Sequence, residues 1–204
     1  LPTFTAINSG TAQQISTITV VPAFGGCSGT ASSYSITVNP KPTPNLPANI
    51  SVCEGASVAQ GTLSSNPSGA TFSWSNNNTS IGLAASGNGN VPAFISGASG
   101  TALVSVTATL AGCVGLAQNY SITVSPQPQV TVPSNQQVCN GDVVASGIFS
   151  SNPAGATYTW TNSNSTIGLG ASGNNNTPSF TALNSGTGSI TSTISVVPTL
   201  SGCA

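Results

Sequence analysis

The feature of this sequence that most constrains its fold is a repeat of 86 positions. Residues 64–94, SSNPSGATFSWSNNNTSIGLAASGNGNVPAF, return without a gap as residues 150–180, SSNPAGATYTWTNSNSTIGLGASGNNNTPSF. Self-similarity at a fixed period indicates a tandem array. We therefore divide the chain into the last part of one repeat (1–44), a complete repeat (45–126) and a third repeat that lacks its last strand (127–204). We expect the sequence to be a piece of a longer array.

The pattern within each repeat is that of β-strands. Segments such as ISTITV, TFSWS, VSVTATL and YSITV alternate apolar and polar residues, and Gly, Pro, Asn and Ser separate them. We predict an all-β protein of tandem immunoglobulin-like antiparallel β-sandwiches, because such a domain has about seven short strands in about 100 residues. The predicted strands of the complete repeat are 49–53, 56–64, 70–75, 79–84, 91–96, 102–111 and 117–125. Proline-rich linkers near residues 40 and 126 are expected to make the array stiff and elongated.

The aromatic residues are predicted to fill the core. Trp74 and Trp160 lie in the middle of alternating strands, and a packing role is the better interpretation, with a sugar-stacking surface as the alternative. The other predicted core residues are Phe94, Phe180 and Tyr120.

Charged residues are almost absent, and this excludes several function classes. The chain has one Lys (Lys41), one Glu (Glu54), one Asp (Asp142) and no His, Arg or Met. A Ser-His-Asp site cannot form, and Glu54 and Asp142 lie in successive repeats, too far apart for a glycosidase pair. We expect no enzyme activity, metal, cofactor, nucleic-acid partner or membrane span. A net charge of −1 favours self-association, so further copies of the repeat are the expected partners.

Five cysteines occupy repeat-equivalent positions. Cys53 and Cys139 open a repeat, whereas Cys27, Cys113 and Cys203 follow its last long strand. We predict the bridges Cys53–Cys113 and Cys139–Cys203, with a partner for Cys27 upstream, because both positions should lie at one pole of an immunoglobulin-like unit. The alternative is pairing between repeats, Cys27–Cys53 and Cys113–Cys139, which leaves Cys203 to a downstream partner. Zinc binding is disfavoured because there is no His and no CxxC. Disulfides indicate an extracellular protein.

The repeats resemble the PKD-like repeats of large secreted surface adhesins of Bacteroidota, including gliding-motility adhesins. The likeness lies in the TFSWS and TYTWT strands, the SIGLAASG and TIGLGASG segments, the VCEG and VCNG openings, and YSITV before a proline-rich linker. True PKD domains follow the Trp strand with a Gly-Asp-Gly type turn, where this chain has SNNNTS after Trp74. The resemblance implies export by the type IX system and a long cell-surface fibre.

Three functions are compatible with these features. The first is a non-enzymatic structural or adhesive segment of a long extracellular protein or filament, with surface polysaccharide as a possible ligand. The second is a spacer or carbohydrate-binding array within a secreted hydrolase. The third is ice binding by flat, Thr-rich strands. We also consider that Tyr34–Val38 of a neighbouring molecule completes the third repeat by strand addition.

Overall fold

The computed structural model describes residues 3–204, and these form two compact units, residues 3–123 and residues 124–204. The described residues are almost entirely β-strands, loops and turns, and several of their sheets are formed by antiparallel pairs. The prediction of an all-β antiparallel protein is therefore confirmed. The predicted boundaries after residues 44 and 126 stay a prediction.

Among the described residues of the first unit, fourteen strands begin and one 3-10 helix accompanies them. They are β1 (Gln14–Val20), β2 (Ala23–Phe24), β3 (Cys27–Ser28), β4 (Ser32–Val38), β5 (Thr43–Asn45), β6 (Ile50–Cys53), β7 (Ser57–Val58), β8 (Ser64–Asn66), β9 (Thr71–Asn76), η1 (Thr79–Ile81), β10 (Ser86–Asn88), β11 (Phe94–Ile95), β12 (Gly100–Leu110), β13 (Cys113–Val114) and β14 (Gln118–Ser125).

The main sheet has the strand order β10-β9-β12-β14-β6, and β13 pairs with the end of β12. Two small sheets, β5–β8 and β11–β7, accompany it, and β1 and β4 form a separate antiparallel pair. The long strand β12 shows why these sequences form a sheet with one buried face. Its alternate residues point into the core and are fully buried: Ala102, Val104, Val106 and Ala108.

The second unit repeats part of this arrangement. Its elements are β15 (Gln129–Thr131), β16 (Val143–Val144), β17 (Ser150–Asn152), β18 (Thr157–Asn162), η2 (Ser165–Ile167), β19 (Ser172–Asn174), β20 (Phe180–Thr181) and β21 (Ile194–Thr199). Its largest sheet has the order β19-β18-β21, which corresponds to β10-β9-β12 of the first unit. The buried residues of its core are Phe149, Trp160 and Leu169.

The predicted strands 56–64 and 91–96 are largely loop, with the two-residue strands β7 and β11 inside them and residue 64 at the start of β8. The predicted strand 79–84 is wrong. The segment begins with the 3-10 helix η1, whose start is capped by the Asn78 side chain and whose end is Gly82 at φ 96°. A Cβ at Gly82 would lie 2.3 Å from the carbonyl oxygen of Ile95, so close backbone packing as well as the left-handed conformation requires glycine here. The strand that pairs with β9 on this side is β10, further along the chain.

Candidate functional site

The two tryptophans lie in the cores of the two units. Trp74 is 5% exposed and Trp160 is 4% exposed. Each indole covers a glycine on the neighbouring strand: a Cβ at Gly87 would lie 2.3 Å from Trp74 Cζ2, and one at Gly173 would lie 2.4 Å from Trp160 Cζ2. Strand β12 lies on the other side of β9 and places Val106 opposite Trp74. These rings are packing residues, and they present no open face on which a sugar could stack.

The other predicted core aromatics are buried to different degrees. Tyr120 is 3% exposed, and its hydroxyl group has no hydrogen-bond partner among the described residues. Burial raises the pKa of Tyr120 above its ordinary value, because the phenolate would lose its hydration. Phe180 packs at the edge of the core around Trp160, and Phe94 is partly buried on β11, opposite Val58.

A buried asparagine follows each tryptophan by two positions and organises the loop beside it. The Asn76 amide donates to the carbonyl oxygens of Leu83 (3.0 Å), Ala84 (3.3 Å) and Asn78 (3.0 Å), and its Oδ1 accepts from Asn78 N (3.0 Å). Asn162 makes the matching bonds to Leu169 and Gly170, at 2.9 and 3.2 Å. The sequence alone predicts a loop for the Asn76–Asn78 run, whereas Asn76 and its equivalent Asn162 are buried residues at the ends of β9 and β18. The missed signal is their period-2 spacing from the tryptophans, which places both side chains on the buried face.

The opening cysteines lie on a turn that recurs in both repeats. After Cys53, the Gly55 amide donates to the Ser96 carbonyl (3.0 Å) and the Ser96 amide donates to the Ala56 carbonyl (2.8 Å). After Cys139, the Gly141 amide donates to Ala182 (2.8 Å) and the Ala182 amide donates to Asp142 (2.8 Å). Gly55 and Gly141 adopt φ values of 76° and 92°, which favour glycine. The VCEG and VCNG segments are therefore turns that hold a cysteine in a fixed backbone setting.

The carboxylates of Glu54 and Asp142 accept backbone hydrogen bonds at these turns. Glu54 Oε1 accepts a hydrogen bond from Ser99 N (2.6 Å), and Asp142 Oδ2 accepts one from Cys139 N (2.9 Å). Asn140 takes the place of Glu54 in the second unit, where its Oδ1 accepts from Asn184 N (2.8 Å). An uncharged amide thus performs the same task, which identifies acceptance of a backbone N–H as the role of the Glu54 carboxylate.

The predicted disulfides are wrong. Cys53 and Cys203 are disulfide-bonded, whereas Cys27, Cys113 and Cys139 are free thiols, so neither Cys53–Cys113 nor Cys139–Cys203 is present. The alternative bridges Cys27–Cys53 and Cys113–Cys139 are excluded by the same free thiols.

The reason is the length of the strand between the two cysteine positions. Glu54, next to Cys53, contacts Ser99 immediately before β12, whereas Cys113 pairs with Leu110 at the other end of β12. Eleven strand residues span about 35 Å at about 3.3 Å per residue, far beyond disulfide reach. The predicted bridge requires both cysteines at one pole of the repeat, and the length of β12 separates them.

Nowhere in residues 3–204 do three or more His, Cys, Asp or Glu side chains come together closely enough to hold a metal ion. No helix in that range has the length and apolar character needed to cross a membrane. No protein-family model matches the chain, and no curated protein matches it significantly.

Proposed function

We propose that this chain is a non-enzymatic structural segment of a long extracellular protein or filament, built from tandem immunoglobulin-like repeats of the PKD-like kind. One observation carries the proposal: the same side chains make the same backbone contacts in both repeats. The Trp–Gly packing, the asparagine that holds the η1 or η2 loop, and the Cys-x-Gly turn all recur. These recurring groups are used to fix the backbone, as expected of a building block.

The cysteines and the charges support an extracellular location and partners of the same kind. A disulfide persists in oxidising compartments such as the cell surface, which is consistent with export by the type IX system. With one cation and two anions in 204 residues, the surface offers little electrostatic repulsion between copies. The expected partners are therefore further copies of the repeat, with surface polysaccharide as a ligand of the assembled array.

Force spectroscopy on the full chain tests the structural role. The reduced chain is held at its two ends and stretched, so that the disulfide does not limit its extension. We expect a cooperative unfolding event with a contour-length gain of about 26–29 nm, from about 80 residues at about 3.3–3.6 Å each, for the complete repeat. A featureless extension curve would show that the repeat does not bear load and would contradict the proposal.

Two further measurements test the alternatives. A glycan-binding panel with the unstretched chain tests the carbohydrate-binding array, and thermal hysteresis tests ice binding. Tight binding of one soluble oligosaccharide together with a featureless extension curve would replace the structural proposal with the carbohydrate-binding one. Thermal hysteresis with the same curve would replace it with ice binding.

A further inference from the structure

The five cysteines fall into two classes that the structure defines by backbone geometry. The opening cysteines, Cys53 and Cys139, precede a left-handed glycine in the turn described above. The closing cysteines follow a tight turn of two residues with positive φ, and a residue before the turn pairs with each cysteine: Phe24 with Cys27, Leu110 with Cys113 and Leu200 with Cys203. Two consecutive left-handed residues are typical of a type I′ turn. Members of one class therefore share one local structure.

One member of each class is disulfide-bonded: Cys53 among the opening cysteines and Cys203 among the closing cysteines. Both backbone settings are thus compatible with a disulfide. The remaining members, Cys27, Cys113 and Cys139, carry free thiols, and Cys27 and Cys139 are exposed. The bonded members give independent evidence that the free thiols occupy disulfide positions.

A repeat cannot join its own opening and closing cysteines. In the first unit these positions lie at opposite ends of β12. In the second unit, Asn140 beside Cys139 contacts Asn184, which precedes β21, whereas Cys203 follows β21. Any partner of Cys139 in the closing class must therefore belong to a different repeat.

We propose that Cys139 forms a disulfide with a closing cysteine, of the type of Cys27 and Cys113, in a repeat that lies outside these 204 residues. The inference rests on that part of the proposed function in which further copies of the repeat are the partners. The partner repeat belongs either to a second chain or to a continuation of the same chain, and both supply the same thiol in the same turn.

The bond forms by thiol–disulfide exchange. The Cys139 thiol and the closing thiol each lose a proton, one S–S bond forms between them, and the S–S bond of a disulfide oxidant such as oxidised glutathione is broken. The oxidant takes up two electrons and two protons and leaves as two glutathione thiols.

Two versions of the chain distinguish a partner in a second chain from a partner in a continuation of the same chain. In the first arm, equal amounts of unlabelled and ¹⁵N-labelled 204-residue chain are incubated in a glutathione redox buffer, alkylated and digested without reduction. We expect mixed-label peptides that join Cys139 to Cys27 or Cys113. In the second arm, a second copy of residues 115–204 is appended after Ala204. There we expect Cys139 to join the appended closing cysteine within one chain.

Matched variants test whether the disulfide requires the turn around Cys139 or forms at any exposed thiol. Cys139→Ser should give about tenfold less disulfide-linked dimer in the first arm. Ser134→Cys in the Cys139→Ser background puts an exposed thiol five positions away, outside the turn, and should not restore the dimer. Dimer formation by this control at the level of the parent chain would overturn the proposal.

Three other outcomes would also overturn it: full alkylation of Cys139 in both arms, Cys139–Cys139 as the main link, or an intrachain Cys113–Cys139 bridge. Each of them is independent of the force measurement. A chain that bears load but leaves Cys139 alkylated refutes the bridge and leaves the structural role intact. A bridged chain with a featureless extension curve refutes the structural role and leaves the bridge intact.

Discussion

At the scale of single residues, the contact between each tryptophan and its glycine leaves no room for a side chain on the glycine. Gly87 lies opposite Trp74, and any side chain there would overlap the indole ring. We predict that Gly87→Ala lowers the free energy of unfolding by about 1–3 kcal/mol, because overpacking forces the ring or the strand to move. Chemical denaturation monitored by tryptophan fluorescence measures the loss.

Gly188→Ala is the control for this substitution. A Cβ at Gly188 meets no atom within 4 Å, so the change should leave the unfolding free energy within about 0.5 kcal/mol of the parent value. Equal effects of the two substitutions would mean that the indole has room for a methyl group, which contradicts the described packing.

The ionisation of Tyr120 is coupled to folding. Its pKa is raised by burial, so the folded state disfavours the phenolate. This contribution to stability is fully present below the unfolded pKa of about 10 and is lost as the pH rises through the raised folded value. We predict that Tyr120→Phe changes stability at pH 7 by between zero and a gain of about 1 kcal/mol, since it removes an unpaired buried hydroxyl.

The alkaline range provides the decisive measurement for Tyr120. Denaturation midpoints between pH 8 and pH 11 should fall more steeply for the parent chain than for Tyr120→Phe. Parallel curves would show that the buried phenol is not responsible for alkaline unfolding. Tyr34→Phe is the matched control, because Tyr34 is the repeat-equivalent residue and is 45% exposed.

At the scale of elements, one amide determines how β9 continues into η1 and β10. The Asn76 side chain satisfies three backbone carbonyl groups and the Asn78 amide. We predict that Asn76→Ala costs about 2–3 kcal/mol, because these groups become unpaired in the interior. Asn76→Asp should cost more, since a carboxylate has no N–H to offer the carbonyl groups. Thermal unfolding and hydrogen exchange at Leu83 to Ser86 measure both effects.

The control for Asn76 is Asn119→Ala, which removes an exposed amide from β14. We expect a change within about 0.5 kcal/mol. If Asn76→Ala were as mild as the control, the loop would be held by its backbone turns alone, and the described amide network would have no energetic role.

The strands that could be predicted are those with clear alternation, such as β9, β12 and β14. Segment 79–84 was missed because a capping side chain and a left-handed glycine override the strand-forming Ile and Leu. Residues 136–139 show the opposite effect. They correspond to β6, yet they form no strand, because β6 takes its place beside β14 and no equivalent of β14 follows β21 in this sequence. Pairing with distant strands determines whether such a segment forms a strand, and the local sequence does not show which strands will pair.

At the scale of the whole molecule, the repeat could be predicted together with the two classes of cysteine, but the bridges could not. Their prediction required knowing which end of β12 each cysteine approaches. That depends on the contact of Glu54 with Ser99, a pairing over 45 positions that no local pattern reveals. The candidate site could be predicted only in part for the same reason. Burial of the tryptophans follows from the alternation of their strands, whereas the turns that present the thiols have no such local pattern.

The final prediction concerns the second unit, in which no strand equivalent to β14 follows β21 in this sequence. We expect that such a strand would stabilise the unit. In the first unit Val104 and Val106 are fully buried, whereas Ile194 and Val196, their counterparts on β21, are only partly buried. We predict that appending residues 115–125 after Ala204 places a new strand beside β21, as β14 lies beside β12. Burial of the copies of Tyr120, Ile122 and Val124 should stabilise this unit by at least about 2 kcal/mol.

Hydrogen exchange gives the local measurement for this extension. Amides of β21 should become slower to exchange, and residues 136–139 should gain protection as the new strand offers them the neighbour that β6 has. The control is the same extension with the copies of Tyr120, Ile122 and Val124 replaced by serine, which keeps the length but removes the apolar face. Equal protection from both extensions would show that chain length, rather than strand pairing and burial, orders the repeat.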